Sequence, residues 1–213
     1  MQAVPAGQRI LDAGAGTQQY SRFCGHLRYV AQDFGQYDGR GDAAGLQTGT
    51  FDYGKLDHVC DVTAIPEPDG AFDAVMCTEV LEHIPRPDLA IREFARLLRP
   101  GGLLIVTAPF CSLTHMAPYH FYSGFSRYWY ERTLGEHGFA VLTIEPNGNF
   151  FEYLAQELWR LESIAERYTR LRPDASQQNA VLTVQAFLGS LSAADAGSTE
   201  LLCFGYHVLA RRH

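Results

Sequence analysis

The chain has 213 residues, of which 46% are hydrophobic, and a formal net charge of −7 at pH 7. That length can bury a core without metal or disulfides, and the apolar content excludes a disordered chain. The acidic balance is unfavourable for binding nucleic acid through phosphate contacts, and no apolar run approaches the roughly 20 residues that span a bilayer. Five cysteines are scattered without any C-x-x-C pair, so we expect free thiols, a cytoplasmic location and no metal site. These observations favour a single domain that acts on small molecules.

The first predicted element is the stretch Arg9–Tyr20, RILDAGAGTQQY, in which a buried strand turns sharply at Gly14 and Gly16. Glycine lets the backbone pass close to a ligand and adopt dihedral angles that are closed to other residues. The N–H groups that follow are expected to open a helix over Thr17–Leu27, whose positive end would favour an electron-rich ligand group. The turn is therefore the predicted binding element.

A second strand is predicted over Arg28–Gln32, and it leads into Asp33, 19 residues beyond Gly14. In doubly wound folds the tip of the second strand lies beside the first glycine turn, where a carboxylate can accept hydrogen bonds from both hydroxyls of a ribose. The alternative is a surface aspartate that caps the next loop. That loop, Phe34–Lys55, is rich in glycine, and a short third strand over Asp57–Cys60 follows it.

The remaining elements alternate in type, and their continuous apolar runs are typical of parallel strands joined by right-handed crossovers. The predicted strands are Phe72–Cys77, Leu103–Ala108, Phe139–Ile144 and Leu202–Ala210, and the predicted helices begin at Pro87 and at Ser126. The fold class is therefore α/β, with a doubly wound sheet of seven strands.

Nearly sixty residues separate the last two strands, where a hairpin would need only a handful. Apolar residues at helical spacing follow Asn149, and a second helix is expected over Ser176–Leu191. We therefore predict one domain over residues 1–213 with a helical insertion at 146–199. The apolar stripes of the insertion need a partner, so it should either roof the substrate pocket or form the face of a homodimer.

Five features in this order resemble the class I S-adenosylmethionine-dependent methyltransferases of the small-molecule branch. They are LDAGAGT at 11–17, Asp33, CDVTAIP at 60–66, FDAVMCTEVLEHI at 72–84 and LLRPGGLLIVTAP at 97–109. The run RYWYERTLGEHG at 127–138 is also similar to methyltransferases of cell-surface polysaccharide gene clusters. The resemblance implies a Rossmann-like sheet, mostly parallel with an antiparallel last strand, and S-adenosyl-L-methionine as the cofactor.

The resemblance also implies a role for each matching residue near the glycine turn. Gly14 and Gly16 would lie under the amino-acid part of the cofactor, and Asp33 would bind the ribose hydroxyls. Gln18 stands where the family usually has a third glycine, and we expect binding to survive that change.

Further along the chain, Asp61 would accept from the adenine amino group while the amide of Val62 meets a ring nitrogen. Thr78 and Glu79 would line the methionine side and the mouth of the substrate pocket. The full set of predicted cofactor residues is Asp12, Gly14, Ala15, Gly16, Asp33, Phe34, Asp61, Val62, Thr78 and Glu79.

The run TEVLEHI at 78–84 leaves two interpretations open. Glu79 and His83 are four residues apart and would share a face if this segment were helical, which would suit a catalytic dyad. We favour the alternative that His83 packs under a loop and holds the strand tip. Glu82 is expected to point to solvent.

The expected reaction is transfer of a methyl group from S-adenosylmethionine to a small-molecule acceptor, in the first place a hydroxyl of a sugar or another polar metabolite. Because a sulfonium is an excellent leaving group, the protein mainly has to align the reactants and exclude water. A base is needed only for a protonated acceptor such as a hydroxyl. His120 is the preferred base and His115 the alternative, since both lie in the aromatic loop after the fifth strand; Glu79 comes next.

Two other functions fit part of the pattern. A nicotinamide-dependent oxidoreductase also has Gly14, Gly16 and a following acid, but its fingerprint needs a small residue where Gln19 stands. A catalytically silent protein of the same fold would be expected to have lost the cofactor acids, whereas Asp33 and Asp61 are both present.

Overall fold

The computed structural model describes residues 3–213. Its seven strands are β1 Arg9–Ala13, β2 Arg28–Asp33, β3 His58–Val59, β4 Phe72–Thr78, β5 Leu98–Pro109, β6 Phe139–Asn147 and β7 Gly205–Arg212. They form one sheet in the order β3-β2-β1-β4-β5-β7-β6. The pairs from β3 to β5 are parallel and β7 is antiparallel to β5, so the predicted fold class is confirmed.

The parallel strands place their carboxyl ends at one edge of the sheet. At the centre, Ile10 and Leu11 of β1 are fully buried, as are Ala74 and Val75 of β4. Such continuous burial is expected for strands that are covered on both faces. Asp33 and Thr78, the last residues of β2 and β4, therefore lie at the same edge as the glycine turn that follows β1.

Two helices accompany this sheet, α1 over Pro87–Leu97 and α2 over Arg127–Glu136. Pro87 occupies the first turn of α1, where its missing N–H leaves no intrahelical partner unsatisfied. The buried face of α1 includes Ile91 and Phe94. Both helices begin within one residue of their predicted starts, Pro87 and Ser126.

The helix predicted over Thr17–Leu27 is wrong. Only a short 3-10 turn, Ser21–Phe23, forms in this segment. Gln18 has φ +57°, in the left-handed region, which interrupts a right-handed helix at its start. As a result no helix N-terminus follows the glycine turn, and any ligand there must be recognised by individual N–H groups rather than by a helix dipole.

Residues 146–204 form a second compact unit, and residues 3–145 form the first together with 205–213. The second unit contains α3, Phe150–Thr169, and α4, Ala175–Ala193, which pack against each other. Each begins with a capping box, built on Asn149 and Asp174 respectively. None of the helices in residues 3–213 is long and apolar enough to cross a membrane.

Candidate active site

A cavity of about 650 Å³ lies at the carboxyl edge of β1, β2 and β4. This volume is in the range of small-molecule and cofactor sites. Nine of the ten predicted cofactor residues line it, together with residues from the long loop after β2 and from the loop after β5. The nine are Gly14, Ala15, Gly16, Asp33, Phe34, Asp61, Val62, Thr78 and Glu79.

Asp12 is the predicted cofactor residue that is not part of the lining, among the residues that the structure describes. Its side chain points into the interior, where it is 1% exposed and accepts a hydrogen bond of 2.5 Å from the Tyr29 hydroxyl. Burial raises the pKa of Asp12 to about 6, an effect that the Tyr29 hydrogen bond opposes. Asp12 thus contacts β2 through Tyr29, and its contact with the cofactor stays a prediction.

The glycine turn brings backbone close to the cavity. Gly14 has φ +72°, and a Cβ placed on it would lie 2.5 Å from a methyl group of Val80. The amide of Gly14 donates to the Gln32 side chain at 3.2 Å. The Gln32 side chain in turn donates to the carbonyl of Cys60 at 2.7 Å. This buried glutamine, which the sequence analysis missed, links the tips of three successive strands.

Asp33 ends β2 inside the cavity and is 5% exposed. Its carboxylate accepts hydrogen bonds from the amides of Gly16 at 2.9 Å and Gly35 at 3.1 Å. Burial raises the pKa of Asp33, and these N–H donors oppose that effect. A fixed acceptor beside the glycine turn has the chemistry that a ribose diol needs.

Gln18 fixes the loop that closes one side of the cavity. Its side-chain amide donates to the carbonyls of Tyr53 at 2.7 Å and Lys55 at 2.8 Å. Tyr53 and its neighbour Phe51 line the cavity and contact each other edge to face. The residue that replaces the family's third glycine therefore keeps a glycine-like backbone angle and adds an anchor for this loop.

At the adenine end of the predicted site, Asp61 is exposed and Val62 is buried. One carboxylate oxygen of Asp61, Oδ1, accepts from the amide of Thr63 at 2.8 Å and from its hydroxyl at 2.7 Å. This turn holds the carboxylate at the cavity wall, where both Asp61 and Val62 are found.

Glu79 and His83 also line the cavity, as do Met116, Tyr119 and Phe121 from the loop after β5. The segment between them is a 3-10 turn, Leu81–His83, and Glu79 itself has φ +55°. The helix that a Glu79–His83 dyad would need is therefore not formed.

His83 occupies the position that we favoured for it. Its Nδ1 is 2.6 Å from the carbonyl of Tyr119, so the ring ties the tip of β4 to the loop after β5. Within residues 3–213, the cavity lining includes His83 but neither His115 nor His120, the two predicted bases. His115 contacts His83 edge to face, and the Nε2 of His120 is 3.3 Å from the hydroxyl of Ser112.

The expectation that Glu82 points to solvent is wrong, because the residue is fully buried. The backbone carbonyl of Glu82 accepts from the amides of Phe121 and Tyr122, which folds the loop after β5 over this turn. A contact between residues so far apart in the chain leaves no local signal in the sequence.

A comparison with protein families bears on the class of this protein. Residues 11–106, a little under half of the chain, match the family model described as a methyltransferase domain. Together with the fold, this match makes the chain similar to S-adenosylmethionine-dependent methyltransferases, and S-adenosylmethionine is the cofactor that the similarity supports.

Individual relatives agree with this assignment. Ubiquinone biosynthesis O-methyltransferase of Xanthomonas oryzae pv. oryzae is 39% identical over 106 residues, which are 48% of this chain and 43% of that protein. The match therefore spans less than half the length of that relative.

Two solved structures share the fold. The cyclase SpnF has a TM-score of 0.57 and 23% identity, covering 99% of this chain and 76% of that one. Phosphoethanolamine N-methyltransferase 2 of Haemonchus contortus, in complex with S-adenosyl-L-methionine, has a TM-score of 0.52 and 17% identity, covering 98% and 49%. Identities this low show likeness of fold alone.

Proposed function

We propose that this chain is an S-adenosylmethionine-dependent O-methyltransferase whose acceptor is a hydroxyl of a small molecule, a sugar or another polar metabolite. The observation that carries the proposal is the single cavity that brings together nine of the ten predicted cofactor residues, drawn from four separate strand ends. O-methylation is favoured because the relative from Xanthomonas oryzae is named as an O-methyltransferase.

The residues at one end of the cavity fit the cofactor. Gly14 has no room for a Cβ and exposes its backbone, which suits close contact with the amino-acid part. Asp33 is a buried acceptor for the ribose hydroxyls, and Asp61 with Val62 would hold the adenine. When bound, S-adenosylmethionine supplies an electrophilic methyl group on a sulfonium that needs no activation by an acid.

The part of the cavity that the loop after β5 lines would receive the acceptor. Tyr119 and Phe121 would give it flat walls, and Phe34 packs edge to face on Tyr119 with ring centroids 5.0 Å apart. Such walls fit a sugar ring or an aromatic ring and keep water away from the methyl group.

A hydroxyl acceptor must lose its proton, and Glu79 is the proposed recipient. Of the predicted bases, His120, His115 and Glu79, it is the one that lines the cavity within the described residues. Its carboxylate is exposed and is held by a hydrogen bond of 2.6 Å from the Thr107 hydroxyl. The two histidines become the alternatives that the experiment below must exclude.

The experiment is a screen of acceptors with labelled methyl donor, preceded by calorimetry of cofactor binding. We expect cofactor affinity in the parent protein and label transfer to hydroxyl compounds, with sugars and phenols tested as separate groups. Glu79→Gln should reduce turnover at saturating cofactor by about 10²–10⁴-fold, the usual value of general-base catalysis, and the saturating cofactor separates this loss from any change in cofactor affinity. His120→Asn and His115→Asn are the matched comparisons. No cofactor affinity in the parent protein would contradict the proposal.

A second candidate is a protein of this fold that catalyses a different reaction, because the solved structure of SpnF is named as that of a cyclase. It would bind the cofactor without transferring label to any acceptor. The nicotinamide alternative is weaker, because residues 11–106 match the methyltransferase family.

A further inference from the structure

Three potential metal ligands converge beside the cavity, and one of them, His83, lines it. The Nε2 atoms of His83 and His115 are 3.7 Å and 3.9 Å from Oε1 of Glu82. The ligand atoms of the three residues all lie within 4.8 Å of one another. Four ligands bound tetrahedrally to Zn²⁺ at about 2.0–2.2 Å stand about 3.3–3.6 Å apart, so small side-chain movements would complete the geometry.

The two imidazoles are oriented to offer lone pairs to the space between them. Nδ1 of His83 faces the carbonyl of Tyr119 at 2.6 Å, and Nδ1 of His115 faces the carbonyl of Leu113 at 2.8 Å. A carbonyl can only accept, so each Nδ1 carries the proton and each neutral ring has an unprotonated Nε2. Ligating histidines in proteins are commonly held by a backbone carbonyl in this way.

Glu82 contributes a buried acid that the protein itself does not satisfy. Its side chain is 1% exposed, and neither carboxylate oxygen has a hydrogen-bond partner among the described residues. The distances to the two Nε2 atoms are too long for hydrogen bonds. When Glu82 is ionised, its carboxylate and the two unprotonated Nε2 atoms are three acceptors that face one another without a donor, an arrangement that a cation would stabilise.

The backbone holds these ligands in place without metal. Glu82 and His83 belong to one 3-10 turn, and the amides of two residues in the loop after β5 bind the carbonyl of Glu82. His115 lies beside a bridge to Leu46, which exchanges backbone hydrogen bonds with Thr114 and Met116. A site of this kind is organised before the ion arrives.

We propose that Glu82, His83 and His115 bind one divalent transition-metal ion, of which Zn²⁺ is the representative. Two imidazoles and one carboxylate suit zinc, iron or nickel, whereas Mg²⁺ prefers oxygen ligands. Three protein ligands leave a position open for water or substrate, as in catalytic zinc sites. The sequence predicted no metal site, because the five cysteines lack metal-ligand spacing and Glu82 was expected to point to solvent.

The open position has a chemical consequence that rests on the proposed function. His83 is shared between the metal site and the cavity lining, so an acceptor hydroxyl can reach the ion. A bound metal ion would lower the pKa of a hydroxyl that it coordinates and so favour loss of the hydroxyl proton. The expected acceptors are then compounds whose hydroxyl can coordinate a metal.

The test measures metal binding directly, without acceptor or cofactor. The parent protein is treated with chelator, titrated with Zn²⁺ or Mg²⁺ by calorimetry, and analysed for bound metal after dialysis. We expect one equivalent of Zn²⁺ and much weaker binding of Mg²⁺. Changes around a metal ligand cost about 10–100-fold in affinity, so Glu82→Gln and His115→Asn, which remove a ligand, should each cost at least a hundredfold. His207→Asn, at an exposed residue of β7, is the matched control and should bind as the parent does.

Unchanged Zn²⁺ affinity in both ligand variants, or loss of the same size in His207→Asn, would overturn the site and assign binding to surface histidines. Tighter binding of Mg²⁺ than of Zn²⁺ would overturn the metal class. The His115 side chain is partly exposed, so its variant should fold even if Glu82→Gln does not, and circular dichroism checks both. Cofactor calorimetry on the same samples separates the two proposals, because failure of metal binding leaves cofactor affinity intact.

Discussion

The hydroxyl of Thr107 donates a hydrogen bond of 2.6 Å to the carboxylate of Glu79. The backbone reinforces this pair, since the amide of Glu79 donates to the carbonyl of Thr107 at 3.0 Å. Thr107 lies in β5 and Glu79 directly follows β4, so two neighbouring parallel strands together hold the Glu79 carboxylate at the cavity wall. If Glu79 is the base, as we propose, Thr107 is a positioning residue that acts through it.

Replacing Thr107 with valine removes this hydrogen bond while it keeps the shape of the side chain. A hydrogen bond to a charged group is worth about 1.5–3 kcal/mol, so kcat for methyl transfer should fall by about 10–100-fold. Thr107→Ser should restore most of it, and cofactor affinity should be equal in all three proteins. Equal kcat in the valine and serine variants would contradict the positioning role.

Asp33→Ala should weaken cofactor binding. A ribose hydroxyl buried without its acceptor costs about 1–3 kcal/mol, which corresponds to roughly ten- to a hundredfold in affinity measured by calorimetry. Asp38→Ala is the control, because Asp38 is exposed and binds amides of its own loop, at Arg40 and Gly41. An equal loss in the two variants would mean that the loop, and not the carboxylate of Asp33, holds the cofactor.

Gly14→Ala should destabilise the fold through both its backbone angle and its new methyl group. The left-handed angle alone costs roughly 1 kcal/mol or more, and the methyl group meets Val80. Adding Val80→Ala should recover only the second part in denaturant unfolding. At Gly25 an added Cβ meets no heavy atom of the described residues within 4 Å, so Gly25→Ala should change the free energy of unfolding little. Full recovery in the double variant would show that backbone strain is absent.

Because the pKa of Asp12 is raised in the folded state, the free energy of unfolding should depend on pH in the mildly acidic range. Its folded pKa is about 6 against a usual value of 3.8, so the folded state binds the proton more tightly. Stability from this group is complete below pH 4 and is lost as the pH rises towards 6, by about 3 kcal/mol. Asp12→Asn should remove that dependence, as seen from urea unfolding at several pH values. Parallel pH profiles of parent and variant would contradict it.

The homodimer stays a prediction, and the exposed aromatic side chains of the second unit offer a test. Trp159 of α3 is 77% exposed and Phe187 of α4 is 61% exposed. If they form the dimer face, burial of these rings drives association, and Trp159→Ser with Phe187→Ser should halve the mass in sedimentation. Tyr128→Ser, at a residue of α2 that is 73% exposed, is the control. If sedimentation shows that the parent protein is a monomer, the prediction of a homodimer is wrong.

The sequence predicted the features that depend on neighbours along the chain. Four of the predicted site residues lie at or just after strand ends: Gly14, Gly16, Asp33 and Asp61. Parallel strands bring their carboxyl ends to one edge of the sheet, whatever the conformation of the loops that follow. The bounds of α1 followed from its apolar spacing and from Pro87.

Other features depend on contacts that no local pattern contains. Glu82 is buried because the loop after β5 folds back on its carbonyl. His115 and His120 belong to the same loop, and its conformation leaves both outside the cavity lining. The helix after Gly16 fails because the conformation of Gln18 is set by the loop its side chain binds. In both places a long-range contact overrides local propensity.

Gln18 has a further consequence, which concerns the timing of ligand exchange. Its side chain joins the glycine turn to the loop at Tyr53, and both segments line the same cavity. If a ligand enters or leaves by moving this loop, the two hydrogen bonds from the Gln18 side chain must break. Because Gln18 belongs to the turn that lines the cavity, opening of the loop and loosening of the turn should occur together. The amides of residues 14–18 and 51–55 should exchange hydrogen at a common rate, and a bound ligand should slow both together.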